Sequence, residues 1–98
     1  MKSVTPQEFA ALEGAALIDV REVGEWNEVH TEAAQLMPMS TIADHLDELP
    51  DGPVYVLCHS GGRSAKVVDY LEQQGYDAVN VSGGITEWQA VGLPVVRG

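Results

Sequence analysis

A single cysteine, Cys58, is present among the 98 residues of the chain. One thiol cannot form an internal disulfide, so the sequence gives no sign of an oxidising compartment. No apolar run approaches the roughly 20 residues that a membrane-spanning helix needs. The first residues carry no targeting pattern, because Gln7, Glu8 and Glu13 interrupt their apolar side chains. These absences predict a cytoplasmic protein with no membrane partner.

Basic residues are also scarce, since 5 Lys and Arg stand against 15 Asp and Glu and the formal net charge is −10. A protein of this sign is repelled by polyanions before any contact forms, which argues against a nucleic-acid partner. We expect the acids to form a solvated surface, and the alternative is a surface for a basic protein partner. The length and the ordinary apolar fraction of 45% predict one globular domain, residues 1–98.

The N-terminal segment carries a helix-start signal. Thr5 is a candidate N-cap, Pro6 suits the first helical position, and Glu8 completes a capping box. Phe9 and Leu12 are expected to form the apolar face of this helix.

Short apolar runs alternate with helical patterns along the rest of the chain. Buried strands are predicted at residues 15–20, 34–39, 54–58 and 77–81. Short helices are predicted at residues 23–28 and 85–91, and a longer helix is predicted to begin at Arg63 and end at Gly75. A further amphipathic helix is predicted where Ile42, Leu46 and Leu49 are spaced to lie on one side. This alternation predicts an α/β fold with a parallel sheet covered by helices on both faces. No internal repeat or linker is visible.

Cys58 closes the strongest strand pattern, at the edge of the sheet where ligands bind in such folds. One interpretation is a small core hydrophobe, because free cysteine is often buried. The other is a reactive thiolate. Gly61 and Gly62 allow the chain to curl so that successive amides point inward, and Arg63 can aim its charge at this loop or anchor the loop to a carboxylate. Amides and cations of this kind lower the pKa of a cysteine, whereas apolar burial raises it.

Four segments together resemble a single-domain rhodanese, a sulfurtransferase-type module: "LIDVREVGEW" (17–26), "VYVLCHSGGRSAK" (54–66), "YLEQQGYDAVNVSGGITEW" (70–88) and "GLPV" (92–95). The resemblance implies a five-stranded, mostly parallel α/β sheet and a cysteine that carries sulfane sulfur as a persulfide. It implies no cofactor and no metal. The expected partners are a small sulfur donor such as thiosulfate or a persulfide, a thiol or cyanide as acceptor, and a protein thiol as a further candidate.

The resemblance also assigns roles to residues. Cys58 matches the sulfur-carrying nucleophile of the family. The residues that match the family's substrate-binding loop are His59, Ser60, Gly61, Gly62 and Arg63. Ser64, which begins the following helix, is included with them as a substrate-binding residue.

Other matched positions are less specific. Asp19 and Arg21 either orient loops near the site or form a structural ion pair, and Trp88 is expected in the core or the pocket wall. Relatives carry Gly-His-Ile-x-Gly-Ala where this chain has "VHTEAA" (29–34). Losing both glycines puts the turn geometry in question, and His30 is expected to be a hydrogen-bonded structural residue.

Loop length helps to separate the candidate reactions. Four residues stand between Cys58 and Arg63, whereas cysteine phosphatases of related architecture have five. The shorter loop makes a narrower cup that suits one sulfur better than a phosphoryl group. Two alternatives to a sulfurtransferase stay open: a binding or regulatory module with a slow cysteine, and a phosphatase or arsenate reductase. A metal site built from Cys58, His30, His45 and His59 fits no common ligand spacing.

Overall fold

The computed structural model describes residues 1–98 and contains seven strands and four α-helices. The strands are β1 (Lys2–Val4), β2 (Ala16–Asp19), β3 (Val29–His30), β4 (Ala34–Leu36), β5 (Val54–Leu57), β6 (Ala78–Val81) and β7 (Val96–Arg97). The helices are α1 (Pro6–Ala10), α2 (Val23–Glu28), α3 (Gly62–Gln73) and α4 (Gly84–Ala90). Five strands form one sheet in the order β1-β6-β5-β2-β4, and every pair in it is parallel. The predicted α/β fold is therefore confirmed. No helix is both long and apolar enough to span a membrane.

Helices cover both faces of the sheet because its central strands are apolar on both sides. On one face α3 packs its buried Val67, Val68 and Leu71 against Val54 and Val56 of the sheet. On the other face α1 and α4 contribute a second apolar cluster, whose buried members are Phe9, Leu17, Leu57, Val81, Ile85 and Trp88. Strand β5 lies at the centre of the sheet, so the residue that follows it emerges between the two layers.

The predicted capping box of α1 is present. The Thr5 hydroxyl accepts a hydrogen bond from the Glu8 amide, and the Glu8 carboxylate accepts one from the Thr5 amide. The helix nevertheless ends after Ala10, and Leu12 lies beyond it with 43% of its surface exposed. The expectation that Leu12 belongs to the apolar face was therefore wrong.

The amphipathic segment at residues 42–49 is not an α-helix. It forms two 3-10 turns, Ile42–Asp44 and Leu46–Glu48, although Ile42 is buried as the pattern predicted. The nucleation of an α-helix is costly, and so short a segment gains few hydrogen bonds to offset that cost. Residues of low helix propensity, including His45, make an α-helix here still less favourable. The apolar stripe was predicted correctly, but the element was not.

Two strand pairings had no signal in the sequence. Strand β1 adds an edge to the main sheet beside β6, and β3 pairs with β7 in a separate antiparallel ribbon. Each of these strands has only two or three residues, which is too short for an alternation pattern.

Candidate active site

Cys58 follows the last residue of β5 and lies at the carboxyl edge of the sheet. Its side chain is almost fully buried, with 1% exposure, and it packs against the apolar cluster beneath α3. The residues that follow, His59 and Ser60, are exposed at the surface. Gly61 takes a φ of 106°, which only glycine adopts easily, and reverses the chain into α3. The thiol therefore lies beneath a short loop that faces solvent.

Polar hydrogens converge on the sulfur. The Gly61 amide lies 3.0 Å from Cys58 Sγ, and the Ser64 hydroxyl lies 3.3 Å from it. Burial raises the pKa of the Cys58 thiol, but hydrogen bonds from the Ser64 side chain and from the amides of Ser64, Gly61 and Ser60 outweigh burial. The pKa therefore lies below its ordinary value, because these hydrogen bonds stabilise the thiolate relative to that of a free cysteine.

The start of α4 holds the other side of the loop. The Ile85 amide donates to the Cys58 carbonyl at 2.8 Å, and the Thr86 amide donates to the His59 carbonyl at 3.1 Å. Gly84 allows this approach, because a Cβ there would lie 2.5 Å from the His59 carbonyl carbon and still closer to the Cys58 carbonyl oxygen. Both carbonyls are thus turned away from the thiol, towards α4.

Arg63 is not free in the loop. Its guanidinium makes two hydrogen bonds of 2.7 Å to the carboxylate of Glu25 in α2. These hydrogen bonds lower the pKa of Glu25 to about 2, so the carboxylate is ionised at neutral pH. The planar pair anchors the loop to α2 and cancels the charge of its only cation.

Asp19 and Arg21 form a buried ion pair with 0% and 1% exposure. Nε and Nη2 of the guanidinium donate to the two carboxylate oxygens at 2.8 to 3.1 Å. Nη2 also donates to the Val29 carbonyl at 2.7 Å, and Nη1 donates to the Glu25 carbonyl at 3.5 Å. Through these bonds Arg21 connects Asp19 of β2 to the first turn of α2, which contains Glu25, and to Val29 at the end of that helix. Of the two roles expected for this pair, the geometry supports a structural ion pair that also positions the partner of Arg63.

The remaining matched residues lie around this centre. Trp88 is buried against Phe9 and donates its indole N–H to the Pro94 carbonyl at 3.0 Å, so it belongs to the core. His30 stacks on Trp26 with ring centroids 4.1 Å apart and makes a 3.0 Å hydrogen bond to the Trp26 carbonyl. No group of three His, Cys, Asp or Glu side chains in the chain could hold a metal ion.

The departure at residues 29–34 does not disturb the turn. None of residues 29–34 has a positive φ, and the Thr31 hydroxyl accepts a hydrogen bond from the Ala33 amide. A side-chain hydrogen bond thus stabilises the turn in place of the two glycines of the family pattern.

Two buried or anchoring groups were missed by sequence reasoning. Asn80 of β6 hydrogen-bonds Ser64, and Glu25 binds Arg63. Asn80 had a usable signal, because a polar residue inside a buried apolar strand needs a partner. Glu25 had none, since it is one of several acids in a polar segment.

Similarity to known proteins covers most of the chain. The family model for the rhodanese-like domain matches residues 5–91 of the sequence. A sulfurtransferase of Allochromatium vinosum is 39% identical over 92 residues, covering 92% of this chain and 86% of the relative. Thiosulfate sulfurtransferase GlpE of Actinobacillus pleuropneumoniae is 34% identical, covering 85% of this chain and 79% of the relative. The crystal structure of a rhodanese-like domain protein from Staphylococcus aureus aligns with a TM-score of 0.85 at 41% identity, over 90% of this chain and 91% of that one.

Fold and site together define an α/β protein that places a cysteine in an amide-lined loop after a central parallel strand. Within that class, the chain belongs to the rhodanese-like domain family, whose members among its relatives include sulfurtransferases.

Proposed function

We propose that the protein is a sulfurtransferase that moves a sulfane sulfur from a donor to an acceptor through a persulfide on Cys58. The observation that carries this proposal is the convergence of the Gly61 amide and the Ser64 hydroxyl on the Cys58 sulfur. Such donors stabilise an anionic sulfur, both the attacking thiolate and a terminal sulfur added to it. Membership of a family with sulfurtransferases supports the same reaction.

In the first half-reaction the Cys58 thiolate attacks the outer sulfur of the donor. With thiosulfate, a bond forms between Sγ and that outer sulfur while the bond between the two thiosulfate sulfurs breaks. Sulfite leaves with the electron pair, and the negative charge remains on the terminal sulfur of the Cys58 persulfide. The loop amides and Ser64 then hold this charge without any proton transfer.

In the second half-reaction a nucleophile attacks the terminal sulfur. Cyanide or a thiolate forms a bond to that sulfur, the persulfide bond breaks, and its electrons return to Sγ. The products are thiocyanate or a new persulfide together with the free thiolate, so the enzyme is regenerated. Splitting the transfer into two displacements is the usual advantage of covalent catalysis.

The remaining loop residues have supporting roles in this proposal. His59, Ser60, Gly61, Gly62, Arg63 and Ser64 surround the donor, with the amides rather than a histidine base supplying the stabilisation. Arg63 mainly fixes the conformation of the loop and attracts an anionic donor only weakly, because the carboxylate of Glu25 neutralises its charge. The overall charge of −10 further weakens the attraction of a dianion.

These electrostatics favour a persulfide carried by a small thiol or a protein thiol over thiosulfate as the working donor. A basic partner protein would be attracted by the acidic surface. A reducing compartment such as the cytoplasm would keep the single thiol available.

Intact mass after incubation with a donor tests the proposal. Thiosulfate and a glutathione persulfide are each mixed with the wild-type protein and with Cys58→Ser. We expect the wild-type protein alone to gain one sulfur atom, and to lose it again when cyanide is added. No gain with either donor would refute the proposal.

The near-complete burial of Cys58 favours one competing function, a binding module with an unreactive cysteine. That alternative predicts no sulfur gain and an alkylation rate no faster than that of a free thiol of ordinary pKa. The same samples therefore distinguish the two functions.

A further inference from the structure

Asn80 is a buried polar residue that takes no direct part in the two displacements at Cys58. It lies on the face of β6 that also carries Ala78, so its amide enters the apolar layer beneath α3 with 6% exposure. A buried amide in such surroundings is costly unless it is hydrogen-bonded. Its one side-chain hydrogen bond goes to the Ser64 hydroxyl, at 2.5 Å.

The Ser64 hydroxyl has one proton and three acceptors within reach. These are Cys58 Sγ at 3.3 Å, the Gly61 carbonyl at 3.1 Å and Asn80 Oδ1 at 2.5 Å. The Gly61 carbonyl already accepts the Ala65 amide of α3, so it does not require this proton. The choice therefore lies between the sulfur and Asn80.

A half-turn of the Asn80 amide decides that choice. With Oδ1 towards Ser64 the hydroxyl proton is drawn to Asn80. With Nδ2 towards Ser64 the amide donates to the hydroxyl oxygen, and the proton is free to point at the sulfur. A hydrogen bond to a charged group is stronger than one to a neutral oxygen, so an ionised Cys58 favours the second arrangement.

We propose that Asn80 is a positioning residue: when Cys58 is ionised, its amide turns so that Nδ2 replaces the Oδ1 that faces Ser64 in this structure, donates to Ser64 Oγ and so holds the Ser64 proton on the Cys58 sulfur. The inference deepens the proposed function, on which it rests for the use made of the thiolate. The same relay holds the proton in place while charge moves between Sγ and a terminal sulfur.

The substitutions used in this test leave the titratable and charged groups around the loop unchanged. They are the Asp19–Arg21 pair from β2, the Glu25–Arg63 pair between α2 and α3, His59 in the loop and Glu87 on α4. Asn80 and Ser64 are both neutral, so replacing either leaves this set intact.

The test is the alkylation of Cys58 by iodoacetamide as a function of pH. Because Cys58 is the only cysteine, every alkylation event is at the site. At a pH below the titration of the thiol, we expect Ser64→Ala to slow alkylation about tenfold and Asn80→Ala to slow it about threefold. The midpoint of the pH profile should rise in both variants, which separates ionisation from access to the loop.

A double-mutant cycle shows whether Asn80 acts through Ser64. In the Ser64→Ala background, Asn80→Ala should have no further effect. Faster alkylation in Asn80→Ala, or equal slowing in both backgrounds, would overturn the proposal. Val79→Ala is the matched control, since Val79 is a buried neighbour on the opposite face of β6, and its profile should match that of the wild-type protein.

A second measurement does not depend on how the variants fold. In the wild-type protein, the side-chain amide protons of Asn80 followed by NMR should shift through the titration of Cys58, and one should be protected from exchange. Absence of any shift would count against the relay. Neither experiment needs a sulfur donor, so their outcomes are independent of whether Cys58 forms a persulfide.

Discussion

Gly84 begins α4 directly against the thiol loop, and Gly84→Ala is expected to disrupt both. The position has a φ of 59°, and the new Cβ would lie within 2.5 Å of the His59 carbonyl carbon. Real Cβ atoms do not approach backbone atoms below 3.0 Å, so α4 must move by about half an ångström or more from the loop. That movement weakens the hydrogen bonds from the Ile85 and Thr86 amides to the loop carbonyls.

The cost has two parts. A left-handed conformation in a residue other than glycine costs about 1–2 kcal/mol. Weakening two backbone hydrogen bonds adds about 1–3 kcal/mol. The total is a large share of the roughly 5–15 kcal/mol of stability typical of a domain.

Gly92→Ala provides the matched control. Gly92 has a φ of 82°, but nothing lies within 4 Å of a Cβ added there. Thermal unfolding of the two variants therefore separates the clash from the backbone strain. The backbone strain is common to both variants, so the hydrogen-bond part of about 1–3 kcal/mol should make Gly84→Ala melt about 4–24 °C below Gly92→Ala, since about 1 kcal/mol shifts the midpoint by roughly 4–8 °C at this size. Equal midpoints would refute the idea that α4 braces the loop.

Three further predictions follow from ionised groups. The pKa of Glu25 is lowered to about 2, so the wild-type protein should be more stable than Glu25→Gln. In urea unfolding, this difference in the free energy of unfolding should be full above about pH 4.5 and disappear as the pH falls towards 2. A difference that does not change with pH would mean that the ion pair with Arg63 contributes nothing to stability. Asp19→Asn should cost about 3–5 kcal/mol, because it leaves Arg21 buried without a counter-charge, and a loss below about 1 kcal/mol would contradict this. The pKa of Cys58 is lowered in the folded state, so the free energy of unfolding of the wild-type protein should rise relative to that of Cys58→Ser as the pH increases towards 9.0. A decrease in this difference with rising pH would contradict the lowered pKa.

The sheet and its helices were largely predictable because each depends on local patterns. Continuous apolar runs such as residues 54–58 are typical of strands buried on both faces, and the capping box at Thr5 is a local signal. The segment at residues 42–49 shows the limit, since its apolar spacing was correct while the backbone formed 3-10 turns.

The site was predictable only where its parts are adjacent in sequence. The order of Cys58, two glycines and a helix start predicted a loop able to hold an anion, and the Gly61 amide does face the sulfur. Contacts across long sequence separations were not accessible. Glu25 meets Arg63 across 38 positions, and no local pattern indicates that the loop lies against Gly83 and Gly84.

The contacts that shape the thiol come largely from residues that follow it in the chain. The donors are Gly61 and Ser64, Ser64 is bonded to Asn80, and the loop carbonyls are bound by the first turn of α4. During synthesis, the stretch up to Cys58 leaves the ribosome before any of them. A nascent chain therefore exposes this thiol without its hydrogen-bond donors, and the loop is fully held only when the last helix docks.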